Sequence, residues 1–240
     1  MEYVSDELFH FVGRHRPKGK QQFELLKEIF KSGTLISSGK SVNSGEIDPR
    51  DKIISGELSE IAALCFCDIP KQLLGIHTGK YSKFGLSFSK RFLASKGAKP
   101  VIYIPIKSQT NLGKGARGKE VPKRLRRVLG ALLELRSLKG LINQKFPSDR
   151  KLREAFGKAT NQTQFLVREL YYYIKMFDED LPQDHAKNYY MEREWRIIGE
   201  HNRTKLSFSL KDVQSVMIPA DFRQQLLKAF PSLSNRVIHT

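Results

Sequence analysis

At 240 residues, 40% of them hydrophobic and 10% aromatic, the chain can bury a full core and is too apolar for wholesale disorder. Forty-two lysines and arginines against twenty-five acidic residues leave a net charge of +17, a field that draws in polyanions such as nucleic acid, nucleotide phosphates or acidic proteins. Two cysteines, Cys65 and Cys67, are too close along a strand for a relaxed disulfide and too few for a zinc quartet. No apolar run approaches a membrane span, and Glu2, Asp6 and Glu7 stand where a leader would be basic and apolar, so the expectation is a reduced, cytoplasmic protein with no membrane partner and no metal.

Leu8 to Val12 reads as a strand, with Leu8, His10 and Val12 on one face and Phe9 and Phe11 on the other. His10 is then either a core histidine satisfied locally or one presented into a cleft. A basic loop, Gly13 to Lys20, follows. Phe23, Leu26, Ile29 and Phe30 then recur at helical spacing, and Gly33 suits the end of that helix. Thr34 to Ser37 is a short strand, and Ser38 to Ser55, with Gly39, Gly45 and Pro49, is a loop.

Leu58 to Leu64 suits one or two helical turns, and Leu64 to Ile69 a strand stopped by Pro70. Lys71 to Gly79 is a short helix carrying His77. Phe84 to Phe88 reads as a strand, and Ser89 as the N-cap of a helix closed by Gly97. Pro100 to Ile106 is an apolar strand.

The middle of the chain differs in kind. Lys114 to Lys158 holds fourteen basic and four acidic residues, a net of +10. Lys114 to Lys119 is a Gly-rich basic loop without the spacing of a phosphate-cradling P-loop. Pro122 to Leu141 is a helix with a leucine stripe, and Lys123, Arg124, Arg126 and Arg127 crowd its other side as candidate nucleic-acid contacts. A solvated, solubilising helix face is the alternative. Gln162 to Phe177 reads as a second, tyrosine-rich helix.

Asn188 to Ile198 contains the single tryptophan, Trp195. If it is extended, Glu192, Glu194 and Arg196 line one face, with the strand beginning near Glu194. That pattern fits a salt-bridged strand or a catalytic acid at a cleft. Leu206 to Leu210 and Val213 to Pro219 are strand material, and Asp221 to Phe230 is a final helix. The sum is an α+β protein with a mixed sheet. Residues 1–110 and 188–240 form the two halves of the core, and residues 111–187 a basic helical insertion.

Several motifs carry a family resemblance: His10 in an early strand, Cys65-Phe-Cys-Asp-Ile-Pro70, the stretch from His77 through Tyr81 to Lys90, Pro100-Val-Ile-Tyr103 and Glu192-Arg-Glu-Trp-Arg196. In this order they resemble the AbiGi family of abortive phage-infection proteins and related phage-defence proteins bearing an EWR motif. Proteins of that family are described as antitoxins. The layout is also similar to the ADP-ribosyltransferase fold, a fold-level analogy. That analogy implies a mixed-sheet core binding NAD. His10 would hold the nicotinamide ribose, Tyr81 or Ser87 would take the middle position, and Glu194, or else Glu192, would stabilise the developing cation. Arg14 or Arg16 would meet the pyrophosphate, with Arg196 beside the cofactor. The expected partners are nucleic acid and a toxin, antitoxin or phage-derived protein. Three readings follow: an NAD-dependent transferase of phage defence, a non-catalytic antitoxin or binding partner, and a metal-free nuclease using His10 or His77. The first requires His10 and Glu194 to converge on one pocket.

Overall fold

The computed structural model describes residues 5–17, 19–38, 56–57, 62–107, 121–182, 185, 188, 190–199 and 203–240, without the side chains of residues 122, 123, 126, 129, 133, 136, 137 and 168. The first elements are β1 (Glu7–Phe11), α1 (Lys20–Ser32), β2 (Thr34–Ser38), β3 (Gly56–Glu57), β4 (Ala63–Cys67), α2 (Leu74–Lys80), β5 (Gly85–Ser89), α3 (Lys90–Ser95), β6 (Lys99–Pro100) and β7 (Ile102–Pro105). After these come α4 (Val121–Lys145), α5 (Arg150–Glu169), β8 (Ile174–Phe177), β9 (Glu194–Ile198), β10 (Arg203–Ser207), β11 (Val213–Ile218), α6 (Arg223–Ala229) and β12 (Val237–His239). The chain forms two compact units, one of Met1–Lys40, Ala62–Val101 and Gln183–Thr240, the other of Ser41–Ile61 and Ile102–Pro182. The class is α+β, as expected.

The first unit is built on a seven-stranded sheet in the order β12-β11-β5-β1-β4-β9-β6, with β10 and β2 as a separate pair. Its pairings are antiparallel except β11 with β12, so the sheet is mixed. One face meets α1, whose Phe23, Leu26 and Phe30 are buried against Leu8, Phe66, Leu86 and Phe88. Gly33 closes α1 in the left-handed region at φ 58°. A Cβ there would lie 2.6 Å from the Phe208 carbonyl oxygen, so both conformation and space call for glycine. Ser89 caps α3 as expected, its Oγ accepting from the Phe92 amide at 3.1 Å. The other face carries a smaller apolar cluster of Phe9, Cys67, Ile69, Leu74 and Met217.

The second unit holds the three-stranded sheet β3-β8-β7 and the α4–α5 helical hairpin. Val167, Tyr171, Ile174 and Met176 form its core, with Ile104, Ile106, Leu125 and Leu132 packed on them.

Three expectations about local structure change. Pro100 to Ile106 is two strands: β6 pairs with β9, and β7 pairs with β8 in the second unit. Proline lacks an amide proton, and β6 lies at the sheet edge, where that loss is tolerated. The helix expected over Gln162 to Phe177 instead begins at Arg150, where Asp149 accepts from the Leu152 amide at 2.9 Å, and it ends at Glu169. Ile174 to Phe177 is a strand, because partners on both sides satisfy its backbone. Of the helical turns expected over Leu58 to Leu64, Ala63 and Leu64 belong to β4, and residues 58–61 lie outside the described residues. Strand β12 had no distinct signal. Most of the loop over Ser38 to Ser55 and all of Lys114 to Lys119 lie outside the described residues.

Candidate functional site

Register decides which side chains meet. Phe9 pairs with Cys67, Cys67 with Glu194, and Cys65 with Arg196. Paired residues in a sheet share a face, and alternate residues along a strand do not. One face therefore carries Phe9, Cys65, Cys67, Glu194 and Arg196, together with Ser87, which pairs with Phe9. The opposite face carries Leu8, His10, Phe66, Leu86 and Trp195. His10 and Glu194 stand on opposite faces, so the expected convergence does not occur. A shift of one residue in pairing would have reversed this, and nothing local to either segment sets that shift.

His10 lies on the α1 side, with its ring 5.5 Å from that of Phe66. Its Nδ1 is 2.8 Å from the Cys65 carbonyl oxygen, which can only accept, so Nδ1 carries the proton. Burial holds its pKa below the ordinary imidazole value, against the opposing pull of that hydrogen bond. It borders a pocket of ≈ 410 Å³ together with Gly13, Leu25, Glu28, Ile29 and Ser32.

The other face is the polar one. Glu194 and Arg196 are 3% and 0% exposed. They join in a two-point ion pair, Nε to Oε1 at 2.7 Å and Nη2 to Oε2 at 3.3 Å. Between the acids, Arg193 adopts φ 42°, the single left-handed non-glycine residue among the described residues. Its Nε donates to the Asp68 carbonyl oxygen at 2.9 Å, while the Asp68 amide donates to the Glu192 carbonyl oxygen at 3.1 Å. The left-handed step ends the 3-10 turn Tyr190–Glu192 and starts β9.

Glu192, the second choice from sequence, is the acid that meets Tyr81. Its Oε1 accepts from the Tyr81 hydroxyl and from Lys80 Nζ, the latter at 2.6 Å. Tyr81 stacks on Phe11 at 5.3 Å, and the Arg14 guanidinium lies 5.0 Å above its ring. Burial, then the Glu192 charge, push the Tyr81 hydroxyl far above the ordinary phenol range, so it stays protonated and donates. His77 lies parallel to Tyr81, and its pKa is lowered by burial and by Lys80 against the pull of Glu192. Its Nδ1 is buried without a hydrogen-bond partner among the described residues.

Sequence reasoning did not assign Lys80 a role, although His77, Lys80 and Tyr81 at i, i+3 and i+4 from α2 are neighbours on a helix surface. The remaining expected residues are placed apart or engaged. Ser87 donates to Glu7 Oε2 at 2.5 Å, and Glu7 also binds Lys71 Nζ at 2.6 Å. Burial raises the Glu7 pKa, but the contacts with Lys71, Ser87 and Ser215 outweigh it and leave the carboxyl low. The Arg16 amide donates to the Gly13 carbonyl oxygen at 2.9 Å. The arrangement around Glu192 and Glu194 is a set of carboxylates already committed to cationic and phenolic donors.

In the second unit, Arg124 is half-buried and Arg127 exposed on α4, while the side chains of Lys123 and Arg126 lie outside those described. Among the described residues, no cluster of three or more histidine, cysteine or acidic side chains could hold a metal ion, and no helix is long and apolar enough to cross a membrane.

No curated protein and no solved structure matches the chain. A family model does, over residues 42–216, under the description "Putative abortive phage resistance protein AbiGi, antitoxin". That match spans both units and includes the Cys65 to Pro70 and Glu192 to Arg196 motifs, and it covers well over half of the sequence. The chain belongs to the AbiGi family of abortive phage resistance proteins.

Proposed function

We propose that the chain acts in abortive phage resistance as an antitoxin that binds a protein toxin, and that it does so without NAD chemistry. The binding role rests on the family description, and the separation of His10 and Glu194 by the sheet counts against NAD chemistry at the expected pair. An ADP-ribosyl transfer of the expected kind needs a carboxylate free to meet the ribose and the developing cation. Glu194 is instead held by Arg196 in a buried, two-point pair. The family description supports the binding role. Co-expression with candidate phage-defence toxins in a growth assay tests it. Restored growth is expected, with no label passing from radiolabelled NAD to nucleic acid or protein. Label transfer, or no rescue, refutes the proposal.

One cluster favours a second reading. Tyr81 donates to Glu192 and carries Arg14 over its ring, so a transferase built on Glu192 in place of Glu194 would first have to release that carboxylate from Tyr81 and Lys80. Its signature would be label transfer from NAD that disappears in Glu192→Gln.

A further inference from the structure

We propose that the α4–α5 hairpin is the surface on which the toxin docks, and that the toxin offers an apolar face bordered by acidic side chains; this rests on the antitoxin reading above. Val128, Leu135 and Leu138 recur at i, i+7 and i+10 along α4, and with Leu141 on α4 and Phe165 and Leu166 on α5 they are 37–65% exposed. The neighbouring side of each helix is already used: Leu125 and Leu132 on α4 pack against the core that contains Val167 of α5. The hairpin thus spends part of its apolar surface on its own fold and leaves other large apolar side chains exposed. Single exposed leucines are ordinary, but six large apolar side chains exposed on one helical pair are more apolar surface than the hairpin uses for its own core, and such surface is typical of a docking face.

The charge around them indicates the partner. Arg127, Lys145, Arg150, Lys151, Arg153 and Lys158 are all exposed on the same two helices or at their ends. The segment Lys114 to Lys158 carries +10 of the net charge. An apolar centre with a charged rim is the anatomy of a protein interface, and a positive rim is complementary to a negative one. A nucleic-acid backbone would use the cations and leave the leucines and Phe165 unexplained. The family description, an antitoxin, supplies the class of partner.

The test uses the full chain and a toxin that it neutralises in the growth assay above, purified together and apart. Three variants suffice: Leu138→Glu with Leu141→Glu, Phe165→Glu, and Arg127→Glu with Lys151→Glu. The first two are expected to weaken toxin binding at least tenfold and to abolish growth rescue. The charge variant is expected to weaken binding less and to flatten its salt dependence. Thermal melting should be unchanged in all three, since these side chains are exposed. Wild-type affinity in the apolar variants overturns the docking surface while leaving the antitoxin reading intact. So does loss confined to binding of total tRNA, a short DNA duplex or phosphatidylserine vesicles, or a change only in self-association. A wild-type chain that does not bind the toxin overturns both.

Discussion

Replacing Glu194 with glutamine separates a structural carboxylate from a catalytic one. The substitution keeps shape and removes charge, and it deprives Arg196, which is 0% exposed, of its two-point anionic partner. Breaking a buried ion pair from one side costs about 3–5 kcal/mol. For a chain of this size each kcal/mol lowers the melting temperature by roughly 2–4 °C, so the expected drop is on the order of 10 °C. Differential scanning fluorimetry or calorimetry on the full chain reads it directly. The double variant Glu194→Leu with Arg196→Met removes both charges, and most of the lost stability should return. A Glu194→Gln protein that melts with the wild type yet has lost its biological activity would refute the reasoning, because the carboxylate would then be spent on chemistry and not on holding Arg196.

Three further outcomes follow from the same geometry. Tyr81→Phe removes the hydroxyl donated to Glu192 and should cost about 1.5–3 kcal/mol in urea unfolding; an unchanged midpoint would mean the contact contributes nothing. Gly33→Ala forces a side chain into the left-handed region against the Phe208 carbonyl oxygen and should cost at least about 1–2 kcal/mol, whereas equal or higher stability would contradict the crowding. His10 and His77 have folded pKa values below the ordinary 6.5, so below that pH the unfolded chain binds more protons than the folded one. Stability should therefore fall as pH drops from 6.5 toward the depressed native values, and His10→Gln should show a shallower fall. Glu7, also lowered, adds a further loss only below 4.5. A denaturation midpoint that is flat or rising between pH 6.5 and 5 would contradict this.

Much of the fold is legible in local pattern. The apolar spacing of α1, its stop at Gly33, the Ser89 cap and the start of β9 at Glu194 each follow from a few adjacent residues. What was not legible depends on distant partners. Tyr171 to Phe177 satisfies a helical stripe equally well, and only β3 and β7 on its two sides make Ile174 to Phe177 a strand. Pro100 to Ile106 is continuous in composition, yet its ends pair with different sheets. The site shows the same limit more sharply. The period of two correctly put Glu194 beside Arg196, but the register between β1, β4 and β9 set their faces relative to His10. Lys80, Tyr81 and Glu192 meet across more than a hundred residues of sequence, and two-residue spacing alone could not rank Glu192 above Glu194 as the partner of Tyr81.

The most direct test of a binding antitoxin is a titration of toxin activity with the full-length chain in buffer free of NAD, at concentrations well above the dissociation constant. Binding predicts that inhibition reaches completion at a fixed molar ratio of chain to toxin and that added NAD changes nothing. Complete inhibition by a small fraction of an equivalent, dependent on NAD and growing with time, would contradict it.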